Sequence, residues 1–189
     1  AALMCEPSPK VEGWDLWLFT RSANEVGGDL VDFIRLDDNH FGVALGDVSG
    51  KGLSAALLSV KLQATLRAIA ADAQSLSALA SKLNTVFCRE CLPSVFASMV
   101  YLECEEKTGR IRIVNAGHIP PLLVKKERIE MLAKGGAALG ILPTASFTEQ
   151  VVELHENEFL LIHSDGLTEA ENLAGESYGE KRLVDVLPA

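Results

Sequence analysis

Three aspartates in this chain stand beside glycine at the borders of apolar runs: Gly27-Gly28-Asp29, Gly46-Asp47-Val48-Ser49-Gly50 and Ser164-Asp165-Gly166. Each pattern reads as a carboxylate delivered at a strand tip, where glycine lets the chain turn sharply and bring its own carbonyl close to a bound ion. Isolated, rigidly held carboxylates suit hard divalent cations. Magnesium and manganese take oxygen ligands in octahedral geometry, retain several waters and need only a few protein carboxylates. One Gly-Asp pair is an ordinary turn signal. Three, each bordering an apolar run, point to a shared cation site.

Strands must carry these residues. Strand-like segments run at about 14–20, 29–36 and 41–47, with Asp37-Asp38-Asn39 as the turn between the last two. After Gly52 the period changes. Leu53, Ala56, Leu57, Val60, Ala64 and Leu66 recur at helical spacing, predicting a helix to about Ala71 whose Leu/Ala/Val stripe covers a sheet. A second helix runs from Ser75, an N-cap, to about Cys91. Strand patterns return near 95–103, 110–115, 122–126, 149–154 and 158–164, and a short last helix starts around Glu180. Lys107-Thr108-Gly109 is a hairpin-type turn, and the connections are too short for parallel crossovers, so the sheets should be largely antiparallel. The order predicts an α+β architecture with helices covering sheet faces. Residues 1–12, proline-containing and patternless, read as a linker from an upstream domain, and 13–189 as one domain.

Of the 189 residues, 48% are hydrophobic and 23% charged, enough for a single substantial core. The net charge is −9, and Gln150 to Glu180 holds eight acidic residues with no Lys or Arg. Nucleic acids and anionic membranes need a basic footprint, so neither is an expected partner. No signal-peptide pattern is visible, and no apolar run approaches the ~20 residues of a membrane helix. A reducing, cytoplasmic setting is therefore expected for Cys5, Cys88, Cys91 and Cys104. Cys88 and Cys91 form a C-x-x-C, but in a helix-like segment with no second pair, so free thiols are expected rather than a zinc or redox site.

The ordered motifs resemble a known family. Glu25-Val26-Gly27-Gly28-Asp29 with Asp32-Phe33 comes first, then Gly46-Asp47-Val48-Ser49-Gly50-Lys51-Gly52 with Ala55-Ala56. Asn115-Ala116-Gly117-His118-Ile119-Pro120-Pro121, Ser164-Asp165-Gly166-Leu167-Thr168-Glu169-Ala170 and Tyr178-Gly179 follow. This is similar to bacterial metal-dependent serine/threonine phosphatases of the PPM superfamily, in the branch of the sporulation stage II protein E and sigma-factor regulators. The resemblance implies an α-β-β-α sandwich of two antiparallel sheets with a dinuclear Mn2+ or Mg2+ centre at one edge. By motif, Asp47 would bridge both metals, Asp29 and the Val48 carbonyl would hold one, and Asp165 the other. Two cations about 3.5–4 Å apart would activate water and orient the phosphoryl group, so no side-chain nucleophile is needed. Family members carry a further metal aspartate in an Asp-Asp-x-Thr strand after the last helix. The chain stops at Ala189 before any such motif, and Asp185 does not match it, so the domain is expected to lack its last strand.

Other polar residues read less sharply. Gly46 to Lys51 is one residue short of the nucleotide-loop spacing and ends in Gly52 instead of a hydroxyl, leaving Lys51 a solvated side chain. His118, between glycine and proline turns, could act as a general acid on the leaving group or hydrogen-bond its loop in place. His163 reads as structural, and His40 and His155 carry no signal. Glu169 could contact a metal-held water or cap the turn after Asp165. Ser49 and Ser164 have no His/Asp partners for nucleophilic catalysis.

The expectation is a protein phosphatase hydrolysing phosphoserine or phosphothreonine on a small regulatory protein by a metal-activated water. The resemblance further implies an anti-sigma-factor antagonist as substrate, in a partner-switching pathway, under an upstream sensory domain; homodimerisation is left open. The alternative is an adaptor of the same fold with weak or no catalysis. The retained aspartates favour the enzyme, and the absent last ligand keeps the adaptor in play.

Overall fold

A computed structural model describes residues 9–20, 27–90, 94–126 and 128–187. Two strands, β1 (Asp29–Arg35) and β2 (His40–Val48), form a hairpin closed by Asp37, whose Oδ1 accepts hydrogen bonds from the backbone N–H groups of Asn39 at 2.7 Å and His40 at 2.8 Å. Asp37 thereby fixes the register, and the hairpin's far end brings Asp29 opposite Asp47. On β2, β3 (Ala97–Glu105) pairs antiparallel, then β4 (Arg110–Ala116) joins across the 107–109 turn.

A four-residue hairpin, β5 (Leu122–Lys125) with β6 (Arg128–Met131), follows, and then β7 (Glu149–Glu153) and β8 (Phe159–Leu161). The larger sheet runs β1-β2-β3-β4-β7 and the smaller β6-β5-β8, all antiparallel. Helices α1 (Leu53–Ile69) and α2 (Leu76–Glu90) cover one face of the larger sheet. Short helices α3 (Asp165–Thr168) and α4 (Gly179–Val186) follow β8. This is the expected α+β arrangement of two antiparallel sheets with helices.

Two apolar layers result. Leu62 and Leu66 of α1 and Leu79 and Leu83 of α2 pack onto Leu30, Val48, Met99 and Tyr101 of the larger sheet. Each such leucine contributes about 1.5–3 kcal/mol by leaving water. Between the sheets lie Phe41, Val43, Val100, Leu102, Ile111, Ile113 and Leu123. Alternation along β2 and β3 feeds both layers at once. Gly42 marks a close approach: a Cβ there would lie 2.4 Å from the Tyr101 hydroxyl.

Several sequence expectations change. α1 buries Ala55, Ser59, Leu62 and Leu66, while Leu53, Leu57 and Val60 of the anticipated core stripe are exposed. The helix is apolar around most of its circumference, so spacing alone could not select the inner face. Residues 15–20 join no strand ladder among the described residues; near them stands only an isolated bridge of Val11 to Trp14. The alternation there is real, since Leu16 and Leu18 pack against the inter-sheet layer while Trp17 and Phe19 stack on each other outside. Val11, assigned to the linker, is buried in that same layer. β6, mostly exposed and polar, went unanticipated. Ser75 caps α2 as expected, accepting from the Ala78 N–H, and the Glu149 carboxylate accepts from the Leu76 N–H. Cys88 is a half-buried free thiol, and burial pushes the free Cys104 thiol up to about 12. Cys5 and Cys91 lie outside the described residues, as do Glu25 and Val26. No described helix is long and apolar enough to cross a membrane.

Candidate metal centre

The β1–β2 register builds the first half of the site, because Asp29 and Asp47 are direct cross-strand partners. Beyond them the Val48 N–H donates to the Gly28 carbonyl at 3.2 Å. A Cβ on Gly28 would meet the Val48 carbonyl oxygen at 2.4 Å and Asp47 Oδ1 at 3.0 Å. A carbonyl and a carboxylate therefore line one small space that only glycine leaves open.

The loop after Asp47 is anchored on both sides. Ser49 donates its N–H to the Phe96 carbonyl at 2.9 Å and accepts the Phe96 N–H on its hydroxyl at 3.0 Å. Gly50 and Gly52 then take left-handed φ values of 110° and 70°, turning the chain into α1. One turn and a half along α1, buried Ser59 donates its hydroxyl to the Asp29 carbonyl at 3.3 Å.

Asp165 opens α3, and its carbonyl accepts the Glu169 N–H at 2.8 Å, so the Glu169 backbone closes that turn. The Asp165 carboxylate is exposed yet close enough to act on both strand aspartates. Burial pushes Asp47 up to about 6, with Asp29 and then Asp165 adding like-charge repulsion. Asp29 is also raised, by burial and then by Asp165. Negative charge is thus concentrated beyond what these side chains relieve by themselves.

That donor set fits a hard divalent cation, being all oxygen and short of positive charge. Among the described residues, no three His, Cys, Asp or Glu side chains stand within common ligating reach. The two observations agree if waters complete the coordination, which magnesium and manganese favour. Asp29, Asp47 and the Val48 carbonyl would hold a cation on the hairpin side, and Asp165 would face it from the β8–α3 corner.

Asn115 and His118 sit beside this site. Buried Asn115 accepts the His118 N–H at 2.8 Å on Oδ1 and donates Nδ2 to the His118 carbonyl at 3.2 Å, closing the turn at Gly117. His118 Nδ1 lies 2.7 Å from the Ser98 hydroxyl, and Ser98 is the cross-strand partner of Asp47. His163 is buried, with Nδ1 3.0 Å from the Ser164 carbonyl. Lys51 is exposed. Sequence reasoning missed Ser59 and Ser98, whose relevance exists only through register and helix docking. A cleft of about 470 Å³ beside Leu123, Glu130, Val151 and His155 includes none of these residues. Asp29 and Asp47 are half-buried and Asp165 is exposed.

Two antiparallel sheets with their helices make this an α+β domain with the fold of PP2C phosphatase domains. The sequence profile described as Stage II sporulation protein E (SpoIIE) matches residues 37–189, and the chain belongs to that family. It is 24% identical to Protein IcfG of Synechocystis sp., over 96% of this chain and 33% of that protein. It is 25% identical to the phosphoserine phosphatase RsbU of Bacillus subtilis, over 85% of this chain and 48% of that protein. The chain thus spans a third to a half of these relatives. Among solved structures, the SiaA PP2C domain of Pseudomonas aeruginosa superposes with a TM-score of 0.71 at 19% identity, covering 85% of this chain and 65% of that one. At that identity the likeness concerns fold.

Proposed function

We propose that this domain is a metal-dependent phosphatase that removes phosphate from phosphoserine or phosphothreonine on a small regulatory protein. The carrying observation is the cross-strand pairing of Asp29 with Asp47, whose carboxylates and the adjoining Val48 carbonyl concentrate charge that a divalent cation would relieve. Bound Mn2+ or Mg2+ would supply the Lewis acidity that activates water and neutralises a phosphoryl group. The chain's own contribution is placement: hairpin register sets Asp29 against Asp47, Gly28 keeps the carbonyl face open, and Asp165 approaches from α3. Partial exposure of the three aspartates would let a phosphorylated side chain of a folded protein approach them.

The relative RsbU is named a phosphoserine phosphatase, which supports the reaction class. The motif resemblance extends the proposal to a phosphorylated anti-sigma-factor antagonist as substrate, in a partner-switching pathway under a sensory domain upstream. The adaptor reading is favoured by one feature, the lack of three side chains in common ligating reach among the described residues. Hydrolysis of a phosphoserine protein after EDTA treatment, with and without Mn2+ add-back, separates the two. Metal-dependent turnover supports the enzyme, and equal rates with and without metal refute the mechanism.

A further inference from the structure

The β2–β3 ladder ends beside the carboxylates with a side chain in place of a backbone group. Val48 pairs with Ala97, so Ser49 and Phe96 stand opposite each other one residue beyond both strands. A continuing antiparallel ladder would join such a pair by two backbone hydrogen bonds. Here only one is of that kind: the Ser49 N–H donates to the Phe96 carbonyl at 2.9 Å, while the returning Phe96 N–H donates to the Ser49 hydroxyl at 3.0 Å. The hydroxyl stands in for a carbonyl, as the chain turns away at Gly50 with φ 110°. Without it the Phe96 N–H would lose this partner.

The consequence falls on Val48. Its carbonyl and the Ser49 N–H belong to one planar trans peptide and point opposite ways, so holding the N–H on the β3 side aims the oxygen at the β1 side. There it borders the space at Gly28, where a Cβ would lie 2.4 Å from this oxygen and 3.0 Å from Asp47 Oδ1. No described backbone N–H donates to the Val48 carbonyl, although the Val48 N–H is itself paired with the Gly28 carbonyl at 3.2 Å. Val48 is 1% exposed, and a buried carbonyl without a donor calls for another partner. We propose that Ser49 is a positioning residue: its hydroxyl closes the clasp with Phe96 and so locks the 48–49 peptide with the Val48 oxygen facing the cation space beside Asp47. The role is indirect, through the Phe96 backbone. It rests on the metal centre proposed above, and supports of this kind commonly change metal affinity about 10–100-fold.

The test compares Ser49→Ala, Ser49→Thr and Ser49→Cys in the intact protein, first without metal and then with Mn2+. Ser49→Thr keeps the hydroxyl, Ser49→Ala removes it, and Ser49→Cys keeps the bulk with only a weak acceptor. In metal-free protein, amide exchange at positions 49 and 96 should accelerate about tenfold for Ser49→Ala and return toward wild type for Ser49→Thr, with residues 101–105 unchanged. In a Mn2+ titration, Ser49→Ala should weaken about tenfold the ion that survives Asp165→Asn, and Ser49→Thr should hold it within about twofold of wild type. Ser49→Cys should follow Ser49→Ala in both readouts, and it decides the matter where Ser49→Ala unfolds the chain. Exchange unchanged at 49 and 96, or accelerated uniformly through the protein, overturns the clasp. Mn2+ affinity unchanged in Ser49→Ala, or lowered equally in Ser49→Thr, overturns the positioning role. Wild-type protein that takes up no Mn2+ overturns the metal centre and with it the ion-facing role, while exchange at 49 and 96 separately decides the clasp.

Discussion

Arg67 in the last turn of α1 grips Asp32 of β1 with two prongs, Nε to Oδ2 at 2.8 Å and Nη2 to Oδ1 at 2.5 Å. Its guanidinium also donates to the Phe33 carbonyl at 3.1 Å. Asp32 is 4% exposed, so this carboxylate depends on its partner for compensation. The pair ties the far end of α1 to the strand that begins with Asp29.

Arg67→Ala should therefore destabilise the fold by about 1–3 kcal/mol, because it strands a buried acceptor. Arg67→Lys should recover only part, since an ammonium cannot match both oxygens of the carboxylate in one plane. Urea unfolding of the three proteins checks this, and coincident midpoints would refute it.

Asp47→Ala should abolish turnover and weaken both Mn2+ ions, whereas Asp165→Asn should weaken mainly one. Asp47, on β2 opposite Asp29, feels both other carboxylates, while Asp165 approaches from α3. Calorimetric titration of Mn2+ into each variant decides the matter. A wild-type isotherm for Asp47→Ala would remove its bridging role.

Metal-free protein should lose stability as pH rises through the range from 3.8 to about 6, the interval between the ordinary and the folded pKa of Asp47. There the native state holds a proton that the unfolded chain has released, so raising pH favours unfolding. The trend should be shallower in Asp47→Asn, which has nothing to ionise at that position. Mn2+ should reverse the wild-type loss, since a cation stabilises the ionised pair. Chemical denaturation at pH 4.5 and 7, with and without EDTA, tests this; identical slopes for the two proteins would contradict it.

Gly28→Ala should lower Mn2+ affinity about tenfold, the size of loss typical when a ligand is displaced by its support, and should lower the melting temperature as well because the Val48 backbone must shift. The new methyl group would have to push aside the Val48 carbonyl and Asp47 Oδ1. A Mn2+ titration beside a thermal melt of metal-free protein distinguishes this from general unfolding. Unchanged affinity would mean that the Val48 carbonyl is no ligand.

The strand-end positions of Asp29 and Asp47 and most strands were legible in sequence because glycine beside aspartate and alternating apolar residues are local signals, whereas Asp165, expected at a strand tip, opens α3 four residues past the end of β8. The helical period of residues 53–69 was equally plain, yet it misassigned the inner face. Leu57 and Val60 fit a core stripe as well as Leu62 and Leu66 do, and Ser59 beneath Asp29 and Arg67 over Asp32 help orient the helix. Those partners lie about thirty residues away, beyond any periodic pattern. Trp14 to Thr20 shows the reverse case, where alternation was read correctly but a strand also needs a neighbour to pair with. Ser98 could not be found at all from sequence, since its importance comes from facing Asp47 on one strand and His118 from the next turn.

The β1–β2 hairpin gives the site an uneven folding history. Asp29 and Asp47 meet through a single tight turn at Asp37, a closure of low entropic cost that the two strands then secure over their full length. Asp165 arrives from more than half the chain away, on a corner with exposed neighbours. Local opening at that corner should need far less free energy than global unfolding, so the hairpin carboxylates can persist as a pair while the third is absent. The centre is then assembled in two stages, one as durable as the core and one renewable at the surface.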